Sequence, residues 1–101
     1  MYKLILPSMV AGRTLANTLV DKFDGDLRDA EVQVDARRLL NASPSFSAEL
    51  VHRILTVEGA RTLQVVRPPA SFVEYLEDAA DRMGVRDRLV LTAVHPLVGQ
   101  V

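Results

Sequence analysis

Three hydroxyls fall within five residues of the segment Asn41-Ala42-Ser43-Pro44-Ser45-Phe46-Ser47. A serine hydroxyl can cap a helix, attack an electrophile when a base activates it, or receive a phosphoryl group. The apolar residues Phe46, Leu50, Val51, Ile54 and Leu55 recur at helical spacing, so the segment opens a helix. Its start is expected at Ser43-Pro44 or at Ser45, since proline suits the first turn and serine the cap before it. Capping is the commonplace role for such serines. The position offers a second one, because a helix N-terminus presents unpaired N–H groups and the positive end of the macrodipole. A phosphoserine there would find partners for its oxygens and would put about −2 charge onto a docking surface.

Other residues have the types that chemistry uses. Catalysis by Ser43 or Ser45 needs a base, and His95 is the histidine that could reach the same rim. No Gly-x-Ser-x-Gly elbow accompanies it. His52 falls one residue past the apolar stripe, so an exposed position is expected. The two histidines make no metal-ligand spacing with Asp or Glu, and there is no cysteine. Asp21, Asp24 and Asp26 fail the calcium-loop register, because Lys22 and Leu27 stand where the first ligand and the turn glycine belong. Gly12-Arg13 and Arg37-Arg38 could each meet an anion, but a turn glycine and solvated arginines explain them as well. No metal and no cofactor is expected.

The elements that must position these residues follow from the pattern. Leu15, Ala16, Leu19, Val20 and Phe23 form one helical stripe. Phe72, Val73, Leu76, Ala79, Ala80 and Met83 form another. Gly25, Gly59 and Gly84 each follow a stripe, where a left-handed cap is wanted. Ser71 and Glu74 have capping-box spacing behind Pro68-Pro69. Four strands are expected at Tyr2–Leu6, Glu31–Asp35, Arg61–Val66 and Arg88–Val94.

The order β-α-β-α-β-α-β implies a mostly parallel sheet with right-handed crossovers. A sheet covered on both faces needs strands apolar throughout, whereas these alternate. Val32 and Val34 oppose Glu31, Gln33 and Asp35; Leu63 and Val65 oppose Thr62 and Gln64. The expected fold is α/β: a two-layer βαβαβαβ superhelix with a four-stranded, mostly parallel sheet and three helices on one face. The carboxyl ends of the strands, where such sheets meet ligands and partners, then gather the loops 7–12, 36–45 and 67–71 and the tail after Val94.

Composition bounds the rest. The chain of 101 residues fits one domain, read as 1–101 with 94–101 as a tail. At 49% hydrophobic and 25% charged it has the make-up of a globular protein. A net charge of −1 does not favour nucleic acid as a partner. No apolar run approaches the roughly 18 residues of a membrane span. The start, broken at Pro7, does not read as a signal peptide, and a cytoplasmic protein is expected.

The stretch from Glu31 to Val51, centred on Ser43-Pro44-Ser45-Phe46-Ser47-Ala48-Glu49-Leu50, resembles the centre of STAS-type domains. It is most like the STAS-like family of unknown function. Gly84-Val85-Arg86-Asp87-Arg88-Leu89 resembles the approach to the last STAS strand. The resemblance spans about residues 1–94. It implies a non-catalytic protein-interaction module of bacterial signalling or transcription control, of the anti-sigma-factor-antagonist type. The implied partner is an ATPase-fold serine kinase or related regulator. Relatives are phosphorylated on a serine of an Asp-Ser-Ser-Gly-Leu motif at the second helix start. Here Ala42 or Ser43 holds the Asp place, Pro44 or Ser45 the acceptor place, and Ser45 or Phe46 the Gly place. Ser45 is the first candidate phosphoacceptor and Ser43 the second. The partner-binding surface is expected to comprise Ala42, Ser43, Pro44, Ser45, Phe46, Ser47, Glu49, His52 and Arg53. Two other classes compete: a small-ligand-binding or enzymatic protein using the carboxyl rim, and a structural subunit pairing through an edge strand or the bare sheet face.

Overall fold

The computed structural model describes residues 2–92. In chain order it contains β1 (Tyr2–Ile5), β2 (Met9–Val10), α1 (Arg13–Asp21), β3 (Glu31–Asp35), β4 (Asn41–Ala42) and α2 (Pro44–Val51). The second helix runs on into a π-helical segment (His52–Val57), followed by β5 (Thr62–Val66), α3 (Ala70–Met83), a 3-10 turn (Arg86–Arg88) and β6 (Leu89–Thr92). The expected last-strand residues Ala93 and Val94, His95 and the tail lie outside the described residues.

The main sheet has the order β1-β3-β5-β6, and each neighbouring pair is parallel. The α/β class and the four-stranded parallel sheet are therefore as the alternation of helical and strand periods implied. Register sorts the side chains into rows. Tyr2, Val32, Leu63 and Leu89 share one row, and Leu4, Val34, Val65 and Leu91 the next on that face. These rows join the hydrophobic core. The opposite face carries the rows Lys3, Gln33, Gln64, Val90 and Ile5, Asp35, Val66, Thr92. None of these eight is buried.

The helices form a single layer. The second helix packs against both α1 and α3, which it could not do across the sheet from either. Its stripe Phe46, Leu50, Val51, Ile54 and Leu55 is fully buried, as are Ala16 and Val20 of α1 and Phe72, Leu76, Ala79 and Ala80 of α3. Burying each of the Val, Leu, Ile and Phe side chains among them contributes about 1.5–3 kcal/mol before entropy is counted.

Some local expectations are corrected. The capping box at Ser71 does not form: α3 starts at Ala70, with the extended Pro69 as its cap and no side-chain cap bond. The Pro69 carbonyl already accepts from Val73 N–H at 3.1 Å, so Ser71 lies inside the first turn. Gly59 and Gly84 end their helices with φ of 71° and 73°. Gly25 does not, because α1 stops at Asp21 and its C-cap is the right-handed Lys22. Gly25 instead lets the loop approach the Tyr2 ring: a Cβ there would lie 2.7 Å from the Tyr2 hydroxyl oxygen.

Two features carry no period in the sequence. One is the π-helical turn, where Glu58 N–H donates to the Arg53 carbonyl at 2.9 Å. The β-branched Ile54, Thr56 and Val57 weaken the α-helix here. Arg88 donates to the Leu55 carbonyl, an acceptor at the end of the wider turn, and to the Ala60 carbonyl just beyond it. The other is the two-residue parallel pair β2–β4, with Met9 beside Asn41 and Val10 beside Ala42.

Candidate docking site

The β2–β4 pair clamps the loops that leave the first and second strands of the main sheet. Leu40 N–H donates to the Ser8 carbonyl at 2.8 Å, and Ser43 N–H to the Val10 carbonyl at 3.0 Å. The starts of α1 and α2 are thereby held side by side at the carboxyl rim.

Ser43 occupies the junction. It is the N-cap of α2, and its Oγ accepts from Phe46 N–H at 3.0 Å. The same Oγ accepts from Gly12 N–H, at the cap of α1, at 3.1 Å. Two acceptances fill the two lone pairs of a hydroxyl. Its proton then goes to Ser45 Oγ, 3.2 Å away. Ser43 is thus saturated by two helices and half-buried. Ser45, one residue past Pro44, is exposed and retains a proton and a lone pair beyond the bond to Ser43. Pro44 is exposed beside it, and Ala42 is half-buried.

Phe46 and Ser47 correct the expected surface, because both are fully buried. Phe46 leads the core stripe of the helix. Ser47 turns back on its own helix, its Oγ donating to the Ser43 carbonyl at 2.9 Å. The exposed flank expected further along is also corrected. Glu49, His52 and Arg53 are half-buried. A middle helix with neighbours on both sides keeps only a narrow strip for solvent.

Glu49 and Arg53 are engaged with α1. Asn17 Nδ2 donates to Glu49 Oε2 at 3.0 Å. Arg53 donates to Asn17 Oδ1 at 2.9 Å, to Asp21 at 2.7 Å and to Glu58 at 3.2 Å. Its guanidinium is held above the ordinary value, chiefly by the hydrogen bond to Asp21, with Glu58 adding to this against the opposing cost of burial. Arg53 is a helix-to-helix clamp, and the sequence offered no sign of it beyond a polar position next to the stripe.

The other candidates are placed as follows. Asp21 serves Arg53, while Asp26 accepts from Arg28 N–H and, through its carbonyl, from the Tyr2 hydroxyl. Among the described residues no group of three or more His, Asp and Glu side chains is arranged to hold a metal. No helix among them is long and apolar enough to cross a membrane. A concavity of about 320 Å³ lies on the bare side of the sheet, lined by Lys3, Leu4, Ile5, Gln33, Asp35, Arg37 and Val66. A second, of about 130 Å³, lies over Arg53 and Glu58. Neither includes Ser43 or Ser45, so neither pairs a serine nucleophile with an enclosed substrate site.

What the site presents, then, is a short exposed step at the start of the middle helix, with one open hydroxyl and a rigid base beneath it. Compared with known proteins, the chain matches no family model, no curated protein and no solved structure, so its site is read from its own residues.

Proposed function

We propose that this protein is a STAS-like, non-catalytic interaction module of a bacterial signalling or transcription-control circuit, and that it docks a protein partner through the start of α2. The observation that carries the reading is the contrast between two neighbouring serines. Ser43 is locked into both helix starts, while Ser45 stands exposed on the step they support. An exposed element at the carboxyl rim that lines neither concavity suits a macromolecule better than a small ligand, which requires enclosure. The partner class is an ATPase-fold serine kinase or related regulator. Ser45 is the phosphoacceptor, since attack on a phosphorus needs a lone pair that Ser43 has already committed. Phosphate at Ser45 would add about −2 charge at the centre of the contact and weaken it.

The test is a calorimetric titration of an ATPase-fold serine kinase from the same organism with the native protein and with Ser45→Asp. Binding of the native protein and about tenfold weaker binding of the variant are expected, consistent with a charge placed inside an interface. Equal affinities would remove the switch and leave the docking role. A kinase that binds neither protein would overturn the partner assignment.

A further inference from the structure

Charge is not spread evenly over this molecule. Arg13 opens α1, Arg37 and Arg38 follow β3, and Arg67 follows β5, so the parallel sheet brings all four to the carboxyl rim. All four are exposed. The carboxylate among them is Asp35, which pairs with Arg37 at 3.4 Å; Glu49 and Glu74 sit a turn or more down their helices. Among the described residues, no carboxylate pairs with Arg13, Arg38 or Arg67. Four arginines against one aspartate give the rim +3 in a chain of net charge −1, which leaves −4 for the remainder. The N-termini of α1 and α2 point the same way and reinforce the positive potential.

Apolar exposure falls on the same rim. Met9 is 65% exposed and Leu40 75%, and the bond from Leu40 N–H to the Ser8 carbonyl keeps them together. Arg67 adds a further mark. It is a non-glycine residue with φ of 57°, directly before a proline. That conformation is unfavourable, and such strain collects at functional surfaces.

We infer that the carboxyl rim docks an acidic protein segment that carries apolar anchor residues. This rests on the docking role proposed above and specifies the partner's chemistry. Arginine and methionine are the residues that interfaces enrich, the first for carboxylates and the second for adaptable apolar contact. A nucleic acid fits less well. Its long polyanion would meet the −4 of the remainder, and its phosphates have no use for Met9 and Leu40.

The experiment is an NMR titration of the isotope-labelled protein with four probes. These are a synthetic peptide alternating Glu with Leu and Phe, oligoglutamate of equal charge, the same peptide with Lys in place of Glu, and a mixed-sequence DNA duplex. The acidic amphipathic peptide should bind with a dissociation constant below about 1 mM and shift the amides of residues 9–13, 37–43, 45, 67 and 70. Oligoglutamate should bind more weakly and the lysine peptide not at all. The exposed double variant Arg38→Glu/Arg67→Glu, its fold checked by its own spectrum, should lose about tenfold in affinity, and binding should weaken as salt rises from about 0.05 to about 0.3 M. Absence of rim shifts, equal binding of the lysine peptide, an indifferent charge-reversal variant, or DNA binding tighter than the peptide would each overturn the inference. A peptide that fails where the kinase binds refutes the partner chemistry alone. A kinase that fails where the peptide binds refutes only the kinase assignment.

Discussion

Replacing Ser43 with Ala removes one hydroxyl but breaks three hydrogen bonds, and its cost can be worked out bond by bond. The cap on Phe46 N–H is worth about 1 kcal/mol. Gly12 N–H is half-buried and loses its acceptor as well, which costs about another 1 kcal/mol. The bond to Ser45 faces solvent, and water replaces it at little cost. The total is about 2 kcal/mol, or roughly 8–16 °C in Tm for a domain of this size. Ser43→Asp keeps an acceptor for both N–H groups and should recover most of the loss. Ser45→Ala, at an exposed site, should stay within about 0.5 kcal/mol of the native protein. Urea unfolding followed by circular dichroism measures all three. If Ser43→Ala and Ser45→Ala were equally mild, the division of labour between the two serines would be refuted.

Other perturbations probe the supports of the rim. Gly12 has φ of 86° and ψ of 155°, a region open essentially to glycine, so Gly12→Ala should cost about 1–3 kcal/mol although a Cβ there meets no atom within 4 Å. The reverse argument applies at Arg67, where φ is 57°: Arg67→Gly should hold or raise stability, by up to about 1 kcal/mol, and a clear loss would mean the side chain contributes more than the backbone strain costs. Arg88→Ala strips the donor from the Leu55 and Ala60 carbonyls, and amide exchange in residues 55–60 should accelerate ahead of the rest of the chain.

Much of this fold could be read directly from residue periods. Helical stripes and strand alternation both report burial, and burial is what the three-helix layer and the half-covered sheet consist of. The face carrying Gln33 and Gln64 was legible because a parallel strand buried on both sides would not tolerate them. The β2–β4 pair was not, since two residues per strand cannot show a period. The π-helical turn was hidden for a related reason: Ile54 and Leu55 keep the stripe intact whether the next turn is α or π. Ser71 misled because capping-box spacing is necessary but not sufficient, and the chain leaving Pro69 is already committed to the helix.

At the site, the location was legible and the allocation was not. A serine-rich helix start after a strand marks the rim. Which serine is locked depends on Gly12, 31 residues away along the chain. Phe46 fits both the core stripe and the contact step by its position, and packing decides for core. Glu49 and Arg53 looked like a free polar flank because nothing local announces that Asn17 and Asp21 stand opposite. Contacts between helices leave a trace in sequence only as polar residues at boundary positions, without saying whether solvent or a neighbour receives them.

The central claim is that the α2 start is where another protein sits, and position-specific cross-linking tests it most directly. The chain has no cysteine, so Ser45→Cys and Asp26→Cys, at opposite ends of the sheet, each give a single attachment point for a photoreactive maleimide. Irradiation in extract of the native host, with adducts identified by mass spectrometry, should yield one discrete protein adduct from position 45 that is absent from position 26. Equal adducts from both ends, or adducts from position 26 alone, would contradict the account.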